Sequence, residues 1–150
     1  METTPNDGYD LRTRILGTWR MLSWKRILVS TGEQSDALGP DPFGYVNYSP
    51  DGRLMVFVLK SVRPKPKSTP PTPDEKVALF DSLFAYVGTY RVDSDRAIHT
   101  LDGSWNELWT GTTQTRILSF ENGSLIYTTP ETVDPMDGTL CTYRVEFERV

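Results

Sequence analysis

Leu11-Arg12-Thr13-Arg14-Ile15-Leu16-Gly17-Thr18-Trp19-Arg20-Met21-Leu22-Ser23-Trp24 is the stretch that decides the fold. A brief helical turn, capped by Asp10 and running through Ile15 and Leu16, meets Gly17 and then a long strand. Gly17 allows a close approach and unusual dihedrals. Trp19 supplies one large ring with an indole N–H that still needs a partner. That combination suits a chain that leaves a capping turn, crosses the floor of a curled sheet and plugs it. The strand is expected over Gly17 to Val29, with Trp19, Met21 and Ser23 on one face and Leu22, Trp24 and Leu28 partly on the other.

Outward from there, the chain reads as strands and turns. Ser30 to Glu33 is a turn, and Leu38 to Pro42 a loop. Phe43 to Tyr48 is a strand, ended by Ser49-Pro50-Asp51-Gly52, a strong turn signal. Arg53 to Leu59 is its hairpin partner. Residues 61–73 hold five prolines and read as an extended loop. Thr72-Pro73-Asp74-Glu75 has the form of a capping box, opening a helix to about Phe84 with Val77, Phe80, Leu83 and Phe84 on one side. Further strands are expected over Tyr86 to Val92, Ala97 to Leu101, Thr112 to Phe120, Leu125 to Thr129 and Thr139 to Arg149. Asp93 to Asp95 is a turn, and Glu121-Asn122-Gly123-Ser124 carries the Asn-Gly hairpin signal. Residues 102–111 interrupt the alternation. Eight short strands and one inserted helix predict an all-β, eight-stranded antiparallel up-and-down barrel, which leaves no sheet edge open. A cone-shaped α+β barrel of the ketosteroid-isomerase type would need long N-terminal helices, and here the first strand begins at residue 17.

The chain has 150 residues, enough for one domain with a real core, 1–150, of which residues 1–8 read as frayed. Its net charge of −4 gives no basic surplus for nucleic acid. The one basic cluster, Lys60 to Lys67, reads as a solvated loop. The single Cys141 excludes an internal disulfide. No segment approaches the ~18 apolar residues of a membrane helix. The start shows no basic n-region with an apolar run, so a reducing, cytoplasmic setting is expected.

Ile15 to Trp24, Leu38 to Gly52 (LGPDPFGYVNYSPDG), Thr72 to Lys76 and Ala85 to Tyr90 stand in order along the chain. His99, Gly103-Ser104-Trp105-Asn106, Trp109 to Thr112 and Gln114 to Arg116 follow. Across about residues 13–150 this order resembles the bacterial and fungal lipocalin-like domain proteins. The resemblance implies a small barrel with an internal cavity, and such barrels usually hold one small molecule. It also implies an inward-facing Gln-x-Arg on the strand of Gln114 and Arg116, and an arginine (Arg144 or Arg149) packed over Trp19 at the closed end. Some members of the family sit in biosynthetic pathways where barrels of this kind act as isomerases or cyclases.

His99 is the only histidine, in phase with Ala97 and Leu101. If that face looks inward, its imidazole can act as acid, base or hydrogen-bond donor; the alternative is a structural histidine bonded to a neighbour. Asp102, Trp105, Asn106, Glu107 and Trp109 cluster just after it. Asp102 and Glu107 are the candidate proton partners of His99. Trp105 and Trp109 are candidate walls for a flat, conjugated ligand. Gln114 and Arg116 share a face with Thr112 and Leu118. An inward Arg116 would need a carboxylate partner or an anionic or carbonyl ligand. Tyr48, Tyr90 and Phe57 complete the candidate ligand contacts, with Tyr45, Tyr86 and Tyr143 as further hydroxyls. One His and one Cys cannot build a usual zinc site, and no calcium-loop spacing or Gly-x-Ser-x-Gly elbow is present. Neither metal nor cofactor is expected.

These readings lead to a cofactor-free isomerase, cyclase or dehydratase acting on a hydrophobic or aromatic intermediate. A non-catalytic carrier of the same ligand class is the alternative. A third reading makes the helix 73–84 and the Pro/Lys loop a docking surface. The oligomeric state stays open, a homodimer included.

Overall fold

The structure, a computed structural model, describes residues 7–150, with side chains from Asp10 onward. Helix α1 (Asp7–Ile15) leads into ten strands: β1 (Gly17–Leu28), β2 (Gln34–Asp36), β3 (Phe43–Tyr48), β4 (Arg53–Leu59), β5 (Leu83–Asp93), β6 (Arg96–Ser104), β7 (Thr113–Glu121), β8 (Ser124–Thr128), β9 (Thr132–Val133) and β10 (Leu140–Arg149). Helix α2 (Pro73–Phe80) lies between β4 and β5. Hydrogen bonding runs β1-β3-β4-β5-β6-β7-β8-β10, and β10 pairs back with β1 from Trp19↔Arg149 to Leu28↔Cys141. Eight antiparallel staves therefore close on themselves, as the strand count predicts. The short β2 and β9 are additions that the sequence did not signal. They extend β1 and β10 at one rim.

Local chemistry explains most boundaries. Gly17 has φ +108°, open to glycine at little cost, where helix α1 turns into β1. Asn122 and Gly123 both have positive φ, the signature of the tight primed turn between β7 and β8. Thr72 caps α2 by accepting from Glu75 N, while the Glu75 side chain accepts from Thr72 N. Three expectations need correction. Asp10 lies inside α1, which begins at Asp7; of the stretch 1–8 only Asp7 and Gly8 are described, and they are helical. Helix α2 stops at Phe80, because Leu83 and Phe84 are already paired with Leu59 and Val58 in the sheet. Strand β6 runs on to Ser104 through a bulge at Asp102.

A bulge between Met21 and Ser23 reverses the alternation of β1. Trp19 and Met21 point inward, and after the bulge Trp24, not Ser23, continues the inner face, packing on Phe84 at 4.8 Å. No signal in the sequence marks that step.

The end near Gly17 is closed and solid. Trp19, Ile15, Val46, Leu54, Leu101, Leu125 and Phe147 are buried there. Trp19 Nε1 donates to Ile15 O at 2.9 Å. Arg149, not Arg144, covers the indole at 4.1 Å, and its guanidinium donates to the Leu16 and Arg14 carbonyls at the end of α1. Arg144 pairs outside with Glu121.

Candidate functional site

The free space lies towards the opposite end. It is a slot of about 70 Å3 within a solvent-open recess of about 750 Å3. Phe84 lines it, with Trp105 at 4.6 Å, Trp24 at 4.8 Å and Trp109 at 5.4 Å from its ring centroid. Met21, Leu38, Val56, Val145 and Phe147 add apolar wall, and Pro135 and Met136 reach over from the β9–β10 loop. The expected hollow is thus confined to half the barrel. The slot itself falls short of the roughly 300–1,000 Å3 of a drug-sized pocket.

Five side chains join in a continuous hydrogen-bonded chain under the slot. The Tyr127 and Tyr48 hydroxyls form a short contact. The Tyr48 hydroxyl shares a 2.7 Å bond with His99 Nε2, and the Tyr86 hydroxyl shares another of 2.7 Å with His99 Nδ1. Arg116 Nη2 donates to the Tyr86 hydroxyl at 3.5 Å. All five residues are buried. Burial, and then the nearby Arg116 charge, hold the His99 pKa well below its ordinary value, so the imidazole is neutral. Burial chiefly raises the Tyr48 and Tyr127 phenols above theirs, so both keep their protons. Burial is also the largest influence on Arg116 and opposes its charge. The Tyr86 oxygen, with Tyr127 and Tyr48, outweighs it and keeps the guanidinium protonated.

A neutral imidazole donates through one nitrogen and accepts through the other. The chain therefore runs in one of two directions. If Tyr86 donates to Nδ1, then Nε2 donates to Tyr48, Tyr48 to Tyr127, and the Tyr127 proton is left over. In the reverse direction the Tyr86 proton is left over. Tyr86 and Tyr127 both line the slot, whereas His99 and Tyr48 do not.

The placement of the expected residues divides sharply. Trp105, Trp109 and Arg116 line the slot. Tyr48 and His99 lie behind Tyr86 and Tyr127, so His99 reaches a ligand only through those phenols. Tyr90 sits lower, its hydroxyl donating to Ser49 O at 2.7 Å and its ring against Tyr48 at 4.8 Å. Gln114 pairs with His99 across β6 and β7, but its amide donates to Thr112 Oγ1 and does not reach the slot. Tyr48, Tyr90 and Gln114 are therefore not ligand contacts in the slot, and three further expected residues lie outside the barrel wall. Asp102 is the bulge residue of β6 and faces out, 3.5 Å from exposed Arg53. Glu107 is exposed in a 3-10 turn (Glu107–Trp109), accepting from Thr110 Oγ1. Phe57 alternates to the outer face of β4 and is 48% exposed. Neither carboxylate is a partner of His99.

Sequence reasoning overlooked Tyr127. The Asn-Gly turn was the available signal: it fixes the β7–β8 register and sets Tyr127 opposite inward Leu118. It also overlooked Asp134 at the rim. Asp134 accepts from the Tyr143 hydroxyl at 2.6 Å and from Arg26 Nη1 at 3.1 Å, and it lines the slot. Among the described residues no group of three or more His, Cys, Asp or Glu side chains could hold a metal ion. No helix among them is long and apolar enough to cross a membrane.

The model of the lipocalin-like domain matches residues 16–144, nearly the whole barrel. The chain belongs to the lipocalin-like domain family. The crystal structure of a lipocalin-like protein from Bacteroides uniformis ATCC 8492 is similar at 13% identity. The match covers 91% of this chain and 99% of that one, with a TM-score of 0.48. No curated protein matches. A lipocalin-like barrel suggests small-molecule binding, and the slot is where this one has room for it.

Proposed function

We propose that this lipocalin-like barrel binds a small, flat, largely aromatic molecule in the slot. There it acts as a cofactor-free isomerase or cyclase by moving a proton between two ligand atoms. The carrying observation is the relay Tyr127–Tyr48–His99–Tyr86, which begins and ends on slot-lining phenols. Tyr127 gives its proton to one ligand atom and Tyr86 takes one from another. Between them Tyr48 passes a proton to Tyr127, His99 Nε2 passes one to Tyr48, and Tyr86 passes its own to Nδ1. The ligand gains one proton and loses one. The relay ends in its opposite direction, with the ring proton on Nδ1, and the reverse transfers reset it: water entering the emptied, solvent-open slot takes a proton from Tyr86 and gives one to Tyr127. His99 is a positioning and relay residue in this scheme, and its neutrality suits it to donate and accept in one step.

Titrating planar aromatic compounds while following tryptophan fluorescence tests binding, because Trp24, Trp105 and Trp109 line the slot. Mass and NMR analysis of the recovered ligand tests turnover. Tyr127→Phe should leave quenching in place and lower turnover by about a hundredfold, the scale of one acid–base group. Quenching without any product in the wild-type protein would support the second reading, a carrier. The outward Asp102 and Glu107 favour that reading, since they leave the relay without a carboxylate base.

A further inference from the structure

Arg116 is 8% exposed, and among the described residues it hydrogen-bonds to the Tyr86 hydroxyl at 3.5 Å. Among the described residues it forms no ion pair, whereas Arg26, the other arginine near the slot, is held by both Asp134 and Asp137. A buried guanidinium offers five N–H donors and cannot shed its charge, so an unmatched one is costly. Tyr86 gives it one acceptor, at the long limit of a hydrogen bond, and leaves the other N–H groups without a carboxylate. Arg116 lines the slot together with Tyr86 and Tyr127. The floor therefore presents one fixed positive charge and, in either direction of the chain, one free phenol donor under apolar walls. That arrangement has the form of an oxyanion site.

We infer that the occupant of the slot carries a single anionic oxygen group (a carboxylate, an enolate or an ionised phenol) on a planar aromatic body, with the charged oxygen on Arg116 and on whichever of Tyr86 and Tyr127 holds the free phenol proton. The inference rests on the slot being the binding site. Charge on the ligand completes the ion pair that the fold leaves open. The aromatic walls hold the rest and exclude water, which strengthens the contact. A carboxylate, with two oxygens, can take the guanidinium fork in bidentate fashion. Asp134 stands at the rim of the same slot and would repel a second negative group, so one charge, placed at the floor, is favoured.

The test compares 2-naphthoate with 2-naphthamide, matched in shape and differing in charge, by tryptophan quenching and calorimetry on the whole protein at pH 7. Naphthoate should bind at least about tenfold more tightly, the scale of a charge-assisted hydrogen bond. Arg116→Gln should abolish the difference, Arg116→Lys should keep part of it, and Tyr86→Phe should reduce it severalfold. The wild-type comparison decides the matter even if Arg116→Gln fails to fold. Equal binding of acid and amide would overturn the anion site and leave the slot as a binding site. Binding of neither, or quenching unaffected by bulky substitution of Val56 at the slot wall, would overturn both.

Discussion

The two ends of the barrel are built from the same residue types to opposite effect. At the closed end Trp19 is 2% exposed, its N–H is bonded, and its face is covered by Arg149. At the open end Trp105 is half-buried, and its Nε1 is buried without a partner, as are Ser104 Oγ and Arg26 Nε nearby. Large apolar side chains lie exposed around that end, among them Phe80, Leu108 and Met136. A satisfied tryptophan closes a floor; an unsatisfied one marks a surface made for something else. The Tyr–His–Arg chain is the boundary between the two regimes.

The largest expected effect comes from breaking the closed end. Trp19→Ala should lose roughly 3–5 kcal/mol of stability, since it empties a large, fully packed site. Chemical denaturation measures this, and a loss below about 1 kcal/mol would erase the contrast with the open end. Next comes the boundary. His99→Phe removes both ring nitrogens and should cost about 1–3 kcal/mol for the stranded hydroxyls. His99 also makes the fold acid-sensitive. Its pKa is lowered on folding from the ordinary 6.5, so the unfolded chain binds the proton first. Its contribution is complete above 6.5 and is lost as pH falls through the folded value, with a slope of up to about 1.4 kcal/mol per pH unit. Denaturation at pH 7.5, 6 and 5 should show this slope in the wild type and a flatter one in His99→Phe. Identical slopes would mean that the imidazole is charged in the folded protein.

The open end should respond less. Trp105→Phe deletes an unpartnered N–H from a half-buried ring, so stability should stay within about 0.5 kcal/mol or rise. A loss above about 2 kcal/mol would place Trp105 with Trp19 as core. The smallest effect is expected outside the barrel wall. Asp102→Asn and Glu107→Gln should change neither stability, beyond about 0.5 kcal/mol, nor ligand quenching. A loss of turnover in either variant would bring the carboxylate back into the chemistry.

Much of the architecture was legible because it is local. Alternation, the Asn-Gly turn, the Thr72–Glu75 box and the Gly17-Thr18-Trp19 entry each constrain a few neighbouring residues. The same period of two set His99 in phase with Ala97 and Leu101 and Arg116 in phase with Leu118; the inward side of Arg116 was implied by the family resemblance. The candidate site was legible only in part. The Asp102 and Glu107 carboxylates lie close to His99 in sequence but outside the wall, because a bulge and a 3-10 turn redirect them. Trp24 joined the slot because a bulge at Leu22 reversed its strand.

The sequence by itself determined that the chain makes a closed antiparallel barrel with Trp19 as plug and an aromatic loop following the strand of His99. Strand period and turn chemistry carry that information within a few residues. Only the tertiary structure decided that His99 and Arg116 both point inward, that Tyr86 and Tyr127 screen His99, that Arg116 meets no carboxylate among the described residues, and that the slot lies towards one end of the tube. Those facts depend on which distant strands become neighbours and how their registers slip at bulges, and they are set by packing across the whole barrel.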